Sequence, residues 1–599
     1  MGVWCKVVTT IAAIVLAAGT ARAEEPAAAP AVAEPIAQVA PTAPNEGLHL
    51  LDDIPNYAAA LKSQWSGNDL PPRIGQFLTD TTHYGRLRDV SGPQSLALAD
   101  CVALALANNT SLEISRLTPL GARAQVRRSY AIFDPSLFGD ASKARSESPA
   151  GSLLLGTLQT LNDNVNADGG LQKTLVTGGQ LTFQWLNNRL FANSTFYTLR
   201  PQYTTSFGLS LNQPLLRDFG LYFTTLQVRL ARTNERSAIK QYEASVASTV
   251  KNVEQAYWGM VQANENVSVQ EQGLALAKEL QRQNEGKFKV GAAPRTAVLE
   301  AQAEVARREA NLIQAQNART IARDTLRALI NATGDDGALL VVEPSDAPVV
   351  EAYNIDLDRS LALALDRRPE LAAAKLNLQG SGMQLKMAEN QLLPRLNAVG
   401  SVGTNGVSGG KVQLTDRAGN PVVDANGNPV FNPFSGPYEH SVNDLIDGRF
   451  YSYNVGVTLT VPLGNAQAKA DYAQSRIGVE QARLGLQQQQ ETVTLEVKTA
   501  VTNLQSDLKS IEATRVAREL AAENLRNQKA RYDVGLATTK DLLDYLDRLT
   551  QAKAAETAAL TTYATDLAEL RRTEGTLLEA RNIVLTSLDE EPTPFWAQF

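Results

Sequence analysis

A chain of 599 residues that is only 6% aromatic, holds four methionines and carries a formal net charge of −7 is poorly suited to thick globular cores. Nor does it offer the basic face that nucleic acid calls for. The histidines (His49, His83, His440) and cysteines (Cys5, Cys101) make no zinc spacing and no Cys-x-x-Cys, and there is no G-x-x-x-x-G-K-[ST] loop. No metal, no cofactor and no catalytic constellation is expected, so the chain does not read as an enzyme.

Residues 1–23 read as a secretory signal: Lys6, an apolar stretch from Val7 to Ala18, then Ala21-Arg22-Ala23 as an A-x-A cleavage site. The apolar stretch is too short to cross ~30 Å of hydrocarbon as a helix. Cys5 would leave with the signal, and Cys101 alone cannot make an internal disulfide. Residues 24–94 form an Ala/Pro-rich linker and an N-terminal segment without clear period. No later run approaches 18 apolar residues, so no transmembrane helix is expected. An exported chain can still enter a membrane as a β-barrel, whose signal per strand is far weaker.

From residue 95 the chain repeats itself. Leu98-Ala99-Asp100-Cys101-Val102-Ala103-Leu104-Ala105-Leu106 is answered by Leu357-Asp358-Arg359-Ser360-Leu361-Ala362-Leu363-Ala364-Leu365, 259 residues on, and Pro135 by Pro394 at the same offset. Gly208 to Leu215 is answered by Gly456 to Leu463, and Phe288-Lys289-Val290-Gly291 by Tyr532-Asp533-Val534-Gly535. Four landmarks in one order indicate a duplicated unit. The copies are 95–335 and 355–585, joined by a connector at 336–354 and followed by a tail at 586–599.

Each copy reads as helix, strands, very long helix, tight turn, helix. No proline lies between Pro214 and Pro294 or between Pro462 and Pro592, so helices over 227–290 and 469–534 would each be roughly 95 Å long. The other helical stretches are shorter, and two stacked end to end would match one long helix. In the last one, Leu542, Leu546, Leu549, Leu560, Tyr563, Leu567, Leu570 and Leu577 follow a heptad seam, interrupted by Lys553, Glu556 and Glu574. Between the helices, Tyr451, Tyr453, Val455, Val457, Leu459 and Val461 alternate with polar or small residues, as do Tyr203 to Leu211 and Leu181 to Trp185. This period of two fits strands with one face on lipid and one on water, although a sheet on a soluble core would alternate likewise.

The Leu-Ala-Leu-Ala-Leu opening helix, the strand exit Asn212-Gln213-Pro214-Leu215-Leu216-Arg217-Asp218-Phe219-Gly220 with its partner Val461-Pro462-Leu463-Gly464, and the turns at Val290-Gly291 and Val534-Gly535 together resemble the TolC-like outer-membrane efflux protein family, over roughly Ser95 to Leu578. The resemblance implies a membrane β-barrel continued by a long α-helical coiled-coil tube. It implies a homotrimer in the outer membrane, four strands per protomer in a shared twelve-stranded barrel, and a tip that meets a periplasmic adaptor (membrane-fusion) protein and an inner-membrane transporter. The function it implies is a passive exit duct of a tripartite efflux or type I secretion system. The stretch from Gly170 to Leu190, with Thr177-Gly178-Gly179 in its middle, could form an extra hairpin and raise the strand count to six; four is the expectation retained.

Gly291 and Gly535 sit where long helices reverse, a place that often needs the positive φ glycine takes without cost. Asp541 and Asp544, three apart, share a helix face just after the second turn. The resemblance implies that these acids form a ring at the narrowest point of the pore, setting cation selectivity, and that Tyr532 takes part in closing it; the plainer reading is helix N-terminal acids favoured by the dipole. The family's tip arginine and its acidic partner fall at Ala537 and Ala297, so any latch here differs, with Arg295 or Lys540 as substitutes. The rival to a channel is an exported coiled-coil scaffold or adhesin without a pore.

Overall fold

The computed structural model describes residues 94–150, 157–194, 197–331, 342–351, 353–414 and 420–585. The expected signal at 1–23, the 24–94 segment up to its last residue, and the tail lie outside the described residues. The first copy comprises β1 (Gln94–Leu96), α1 (Leu98–Asn108), α2 (Thr110–Tyr130), β2 (Ser136–Pro149), β3 (Gln159–Thr174), β4 (Gln180–Ala192), β5 (Leu199–Pro214), α3 (Leu226–Lys289) and α4 (Arg295–Ile330). After β6 (Val342–Pro344), the second comprises α5 (Leu357–Arg367), α6 (Pro369–Asn390), β7 (Arg395–Lys411), α7 (Tyr438–Ile446), β8 (Phe450–Thr460), α8 (Ala466–Asp533) and α9 (Thr539–Glu574). The short β1 pairs in parallel with β6, tying the connector to the start of the first copy.

The long helices run uninterrupted for 64 and 68 residues, since no proline falls inside them. The shorter helices stack in pairs, as expected. The end of α4 meets the α1–α2 junction, where Asn109 Nδ2 donates to the Leu329 carbonyl (2.9 Å) and Asn331 Nδ2 to the Asn108 carbonyl (3.1 Å). Gly575, just beyond α9, packs against the backbone of Arg367 at the end of α5. The layer is therefore four helices wide throughout, ordered α2–α3–α6–α8 in one half and α4–α3–α9–α8 in the other.

Two seams hold the layer, one per copy. Leu98, Cys101, Val102 and Ala105 of α1 pack on Val246, Val250, Val253 and Tyr257 of α3 and on Leu326 and Ile330 of α4. Ala364 of α5 packs likewise with Val493, Val497, Val501 and Leu504 of α8 and with Tyr563, Leu567 and Leu570 of α9. Cys101 is an unpaired thiol with no exposed surface, and burial pushes its pKa up to about 12. The residues that break the heptad seam of α9 bond to its neighbours: Lys553 donates to Gln272 (2.9 Å), Glu556 pairs with Arg518 (2.6 Å), and buried Glu574 accepts from Tyr353 and Ser360 (both 2.6 Å).

All six longer strands form one antiparallel sheet in the order β2-β3-β4-β5-β7-β8. The expectation of four strands is corrected to six. The additional pair is the β3–β4 hairpin, closed by bonds from Leu175 N to the Gly179 carbonyl (2.7 Å) and from Gly178 N to the Leu175 carbonyl (2.9 Å). It is the hairpin that the stretch from Gly170 to Leu190 offered as the alternative; the second copy has in its place the segment 412–449, which carries α7. Among the described residues no helix is long and apolar enough to cross a membrane.

The segment just beyond α9 is held to the layer by a buried charge. Glu254 on α3 has no exposed side-chain surface, and Arg581 donates to both its oxygens (2.7 and 2.6 Å). Arg581→Ala would strand that carboxylate and should cost about 3–5 kcal/mol, whereas Glu254→Gln with Arg581→Met should cost clearly less. Thermal unfolding followed by circular dichroism in detergent checks both; equal losses would mean the pair contributes packing alone.

Candidate functional site

The two helix reversals are built alike. After α3, Gly291 adopts φ +74°, its N–H donates to Phe288, and Ala292 N donates to the Lys287 carbonyl (2.8 Å). After α8, Gly535 adopts φ +80°, its N–H donates to Tyr532, and Leu536 N donates to the Arg531 carbonyl (2.8 Å). This is the left-handed glycine cap that satisfies the last carbonyls of a helix, and a Cβ would strain it. The glycines at both reversals thus have the backbone conformation expected of them.

Beneath the turns lies a small apolar cluster of Leu280, Tyr532, Leu542 and Leu543 with a polar centre. Asn284 of α3, 1% exposed, accepts from the Tyr532 hydroxyl and donates to Thr539 Oγ1 (3.2 Å) and to the Ala297 carbonyl (3.4 Å). Lys287 Nζ lies 4.0 Å from the centre of the Tyr532 ring. One uncharged amide thus joins both helix reversals, where the sequence comparison had left an Ala-for-Arg and an Ala-for-acid replacement at Ala537 and Ala297.

Asp541 is the third residue of α9 and closes a capping box. Its Oδ2 accepts from Thr538 N (3.0 Å) and Thr538 Oγ1 (2.7 Å), and its own N–H donates back to Thr538 Oγ1 (3.2 Å). The Thr538 hydroxyl, then its amide, hold the Asp541 carboxyl below its ordinary pKa. Asp544 lies one turn on, and both acids are exposed. The local role, capping, is therefore filled by Asp541, while both carboxylates remain open to solvent on the side away from Leu542 and Leu543.

Further along, Arg308 of α4 is 1% exposed. It donates to Glu304 Oε1 (2.7 Å), Asp547 Oδ1 (3.0 Å) and Thr550 Oγ1 (3.0 Å), and its guanidinium passes over Gly273 of α3, where a Cβ would sit 3.0 Å from it. Three helices meet on this one side chain. Burial works to raise the Glu304 pKa, but hydrogen bonds from Arg307 and Arg308 outweigh it and hold it low. Neither Asn284 nor Arg308 was singled out in the sequence. The signals present were weak: Glu304 and Arg308 at i,i+4, and a glycine inside a long helix.

The sheet sorts its side chains by chemistry. The register sets Leu137, Leu171, Phe183, Leu209, Val402 and Tyr453 in one continuous row across all six strands, all on one face. Trp185, Phe207 and Tyr451 stand in the next row on that face. The opposite face carries Asn164, Asn166, Asn188, Gln184, Ser401 and Asn454, and Asn188 donates to Asn166 (2.7 Å) and also to Asn164. One apolar and one hydrated face on a sheet of this width is the chemistry of a membrane barrel wall.

Comparison with known proteins agrees with that chemistry. The family described as outer membrane efflux protein matches residues 101–332 and again 361–576. This chain belongs to the outer membrane efflux protein family. It is an outer-membrane efflux channel, not an enzyme. It is 25% identical over 354 residues to the outer membrane protein TolC of Vibrio cholerae, covering 58% of this chain and 72% of that one. It is 24% identical over 392 residues to TolC of Salmonella enteritidis, covering 65% and 73%. Among solved structures, the CmeC outer membrane channel of Campylobacter jejuni superposes with a TM-score of 0.57 at 18% identity, covering 80% of this chain and 86% of that one. The outer membrane protein VceC of Vibrio cholerae gives 0.57 at 18% identity, covering 80% and 96%.

In this efflux protein, Arg308→Met would leave buried Glu304 and Asp547 with only the half-exposed Arg307 (2.8 and 3.5 Å) as their cation and should cost at most about 3–5 kcal/mol; adding Glu304→Gln should recover part of it. The wild-type Glu304 contribution is fully present above the ordinary carboxylate pKa of about 4.3 and is lost as pH falls through its lower folded value, so the gap between wild type and Arg308→Met should narrow on acidification. Thermal melts at neutral and acidic pH measure it; a gap that widens in acid would assign the loss to packing.

Proposed function

We propose that three copies of this chain close into one barrel and one helical tube, which serve as a passive exit duct for a tripartite efflux or type I secretion system. The observation that carries the reading is that both layers are left open at both sides. The sheet ends on β2 and β8, and an unpaired strand edge cannot rest in hydrocarbon, where each unsatisfied backbone group costs several kcal/mol. β2 and β8 run in opposite directions, so β8 of one copy can pair antiparallel with β2 of the next. The helical layer is open in the same sense. α8 exposes Ile477, Leu484, Leu495, Val516 and Leu520 on one side, while Ile114 and Leu117 of α2 with Leu299, Ile313 and Ile321 of α4 are exposed on the other. A second copy of this chain is the occupant that satisfies both edges at once.

Around the axis of three copies, Asp541 and Asp544 would supply six carboxylates at the tip, where the helix reversals meet the periplasmic adaptor and, through it, the inner-membrane transporter. Crowded acids at a narrow, water-poor ring raise the local cation concentration and offer a site for a multivalent cation. Tyr532 and Asn284 would then act as the internal tie that must loosen when the ring widens.

Asp541→Ala with Asp544→Ala should lower cation selectivity in planar bilayers and weaken block by trivalent cations, with trimers still formed. Asp541→Asn alone separates the capping role from the charge, because an amide can still accept from Thr538. Unchanged selectivity in a conducting double variant would return both acids to capping alone and move the constriction elsewhere.

A further inference from the structure

Charge is spread unevenly along the helices that adjoin the sheet. In the stretches nearest it, about three turns each, at 120–130 of α2, 226–236 of α3, 380–390 of α6 and 466–476 of α8, nine lysines and arginines stand against three acids. In the next stretches of the same helices, at 110–119, 237–247, 369–379 and 477–487, four stand against four. The basic excess is thus a collar at the level of the sheet, in a chain whose net charge is −7. Helix dipoles do not account for it. α3 and α8 meet the sheet with their N-terminal ends, where cations are disfavoured, yet they carry five of the nine.

Two of these cations meet on one ring. Arg229 Cζ of α3 lies 5.1 Å, and Lys386 Nζ of α6 5.6 Å, from the centre of the Tyr222 ring. Both side chains are exposed, Arg229 donates only to Thr225 Oγ1 (3.3 Å), and neither has an ion-pair partner among the described residues. α3 and α6 are the inner members of the layer at this level, so a neighbouring copy joining at the flanks does not cover them. Beside them, on the segment that leaves β5, Leu216 is 43% exposed, Phe219 47% and Leu221 58%. Uncompensated cations next to uncovered apolar side chains, at the rim of a membrane sheet, ask for a ligand that is anionic at one end and hydrocarbon at the other.

We infer that this collar docks anionic phospholipid of the leaflet on the helical side of the membrane, with Arg229 and Lys386 holding the headgroup phosphate beside Tyr222 and with Leu216, Phe219 and Leu221 against the acyl chains. An arginine fork matches two phosphate oxygens, and the lysine adds a point charge on its flexible stem. Tyr222 suits the boundary, since an aromatic ring with a polar tip rests where headgroups meet hydrocarbon. A zwitterionic lipid would bring its own cation and leave the collar uncompensated. A small anion in water would leave Phe219 and Leu221 uncovered. Bound lipid of this kind fixes the depth at which the helices stop and the sheet begins, because both the phosphate and the chains must be satisfied at one level.

Native mass spectrometry of the full chain in detergent, titrated with phosphatidylglycerol or phosphatidylcholine, tests the inference. The wild type should bind phosphatidylglycerol the more tightly. Arg229→Gln with Lys386→Gln should weaken phosphatidylglycerol about twenty-five-fold, about five-fold for each cation, and leave phosphatidylcholine unchanged. Arg229→Lys with Lys386→Arg should retain most of the affinity. Lys240→Gln with Lys375→Gln removes the same charge from the next stretches of α3 and α6 and should change little. An equal loss in that second pair would reduce the effect to net charge and overturn the site. Equal binding of the two lipids by the wild type would overturn it as well. Soluble glycerol phosphate that binds with the same dependence on Arg229 and Lys386, and displaces the lipid, would assign the pair to a water-borne anion instead.

Discussion

A strand edge in hydrocarbon has nowhere to send its N–H and C=O groups, and much of this structure follows from that constraint. The sheet has two such edges, β2 and β8, and the helical layer beneath it has two uncovered apolar flanks. A single copy is thus incomplete in both layers in the same rotational sense. This explains why so much of the sheet is exposed although its register is regular. It also explains why the buried residues form thin seams between helices rather than one thick core.

The duplication supplies most of the mechanical plan. Each copy uses its Ala/Leu-rich opening helix to fill the gap where a long helix passes two stacked short ones. Each then reverses its long helix with a left-handed glycine. The copies diverge where they meet the membrane: the first adds the β3–β4 hairpin, the second a long segment with α7 that packs on the outer ends of β5 and β7. Divergence is cheap there because loop length adds little closure entropy and a strand pair brings its own backbone partners.

At the other end, charge and neutrality are separated. The Asn284–Tyr532–Thr539 contacts are uncharged and buried. The Arg308 cluster is ionic and sits further from the turns. The exposed acids Asp541 and Asp544 face outward from both. The helices next to the reversals are thus held by neutral contacts, and the same helices further along by ionic ones.

Much was legible in the sequence alone. The absence of proline gave α3 and α8 to within about three residues at each end, because proline breaks a helix interior, and the heptad seam gave α9. Val290-Gly291 and Val534-Gly535 marked the reversals, since a left-handed cap favours one residue type. The repeated landmarks revealed the duplication and, through it, the family. Tertiary structure decided the strand count, because the alternation along β3 and β4 is weak and the sequence offered their hairpin only as the alternative to four strands. It alone brought Asn284 to Tyr532, 248 residues away, and Arg308 to Thr550, 242 away. Single polar residues on helix faces look alike in sequence, and only the packing of one helix on another determines which of them lose water and must find partners.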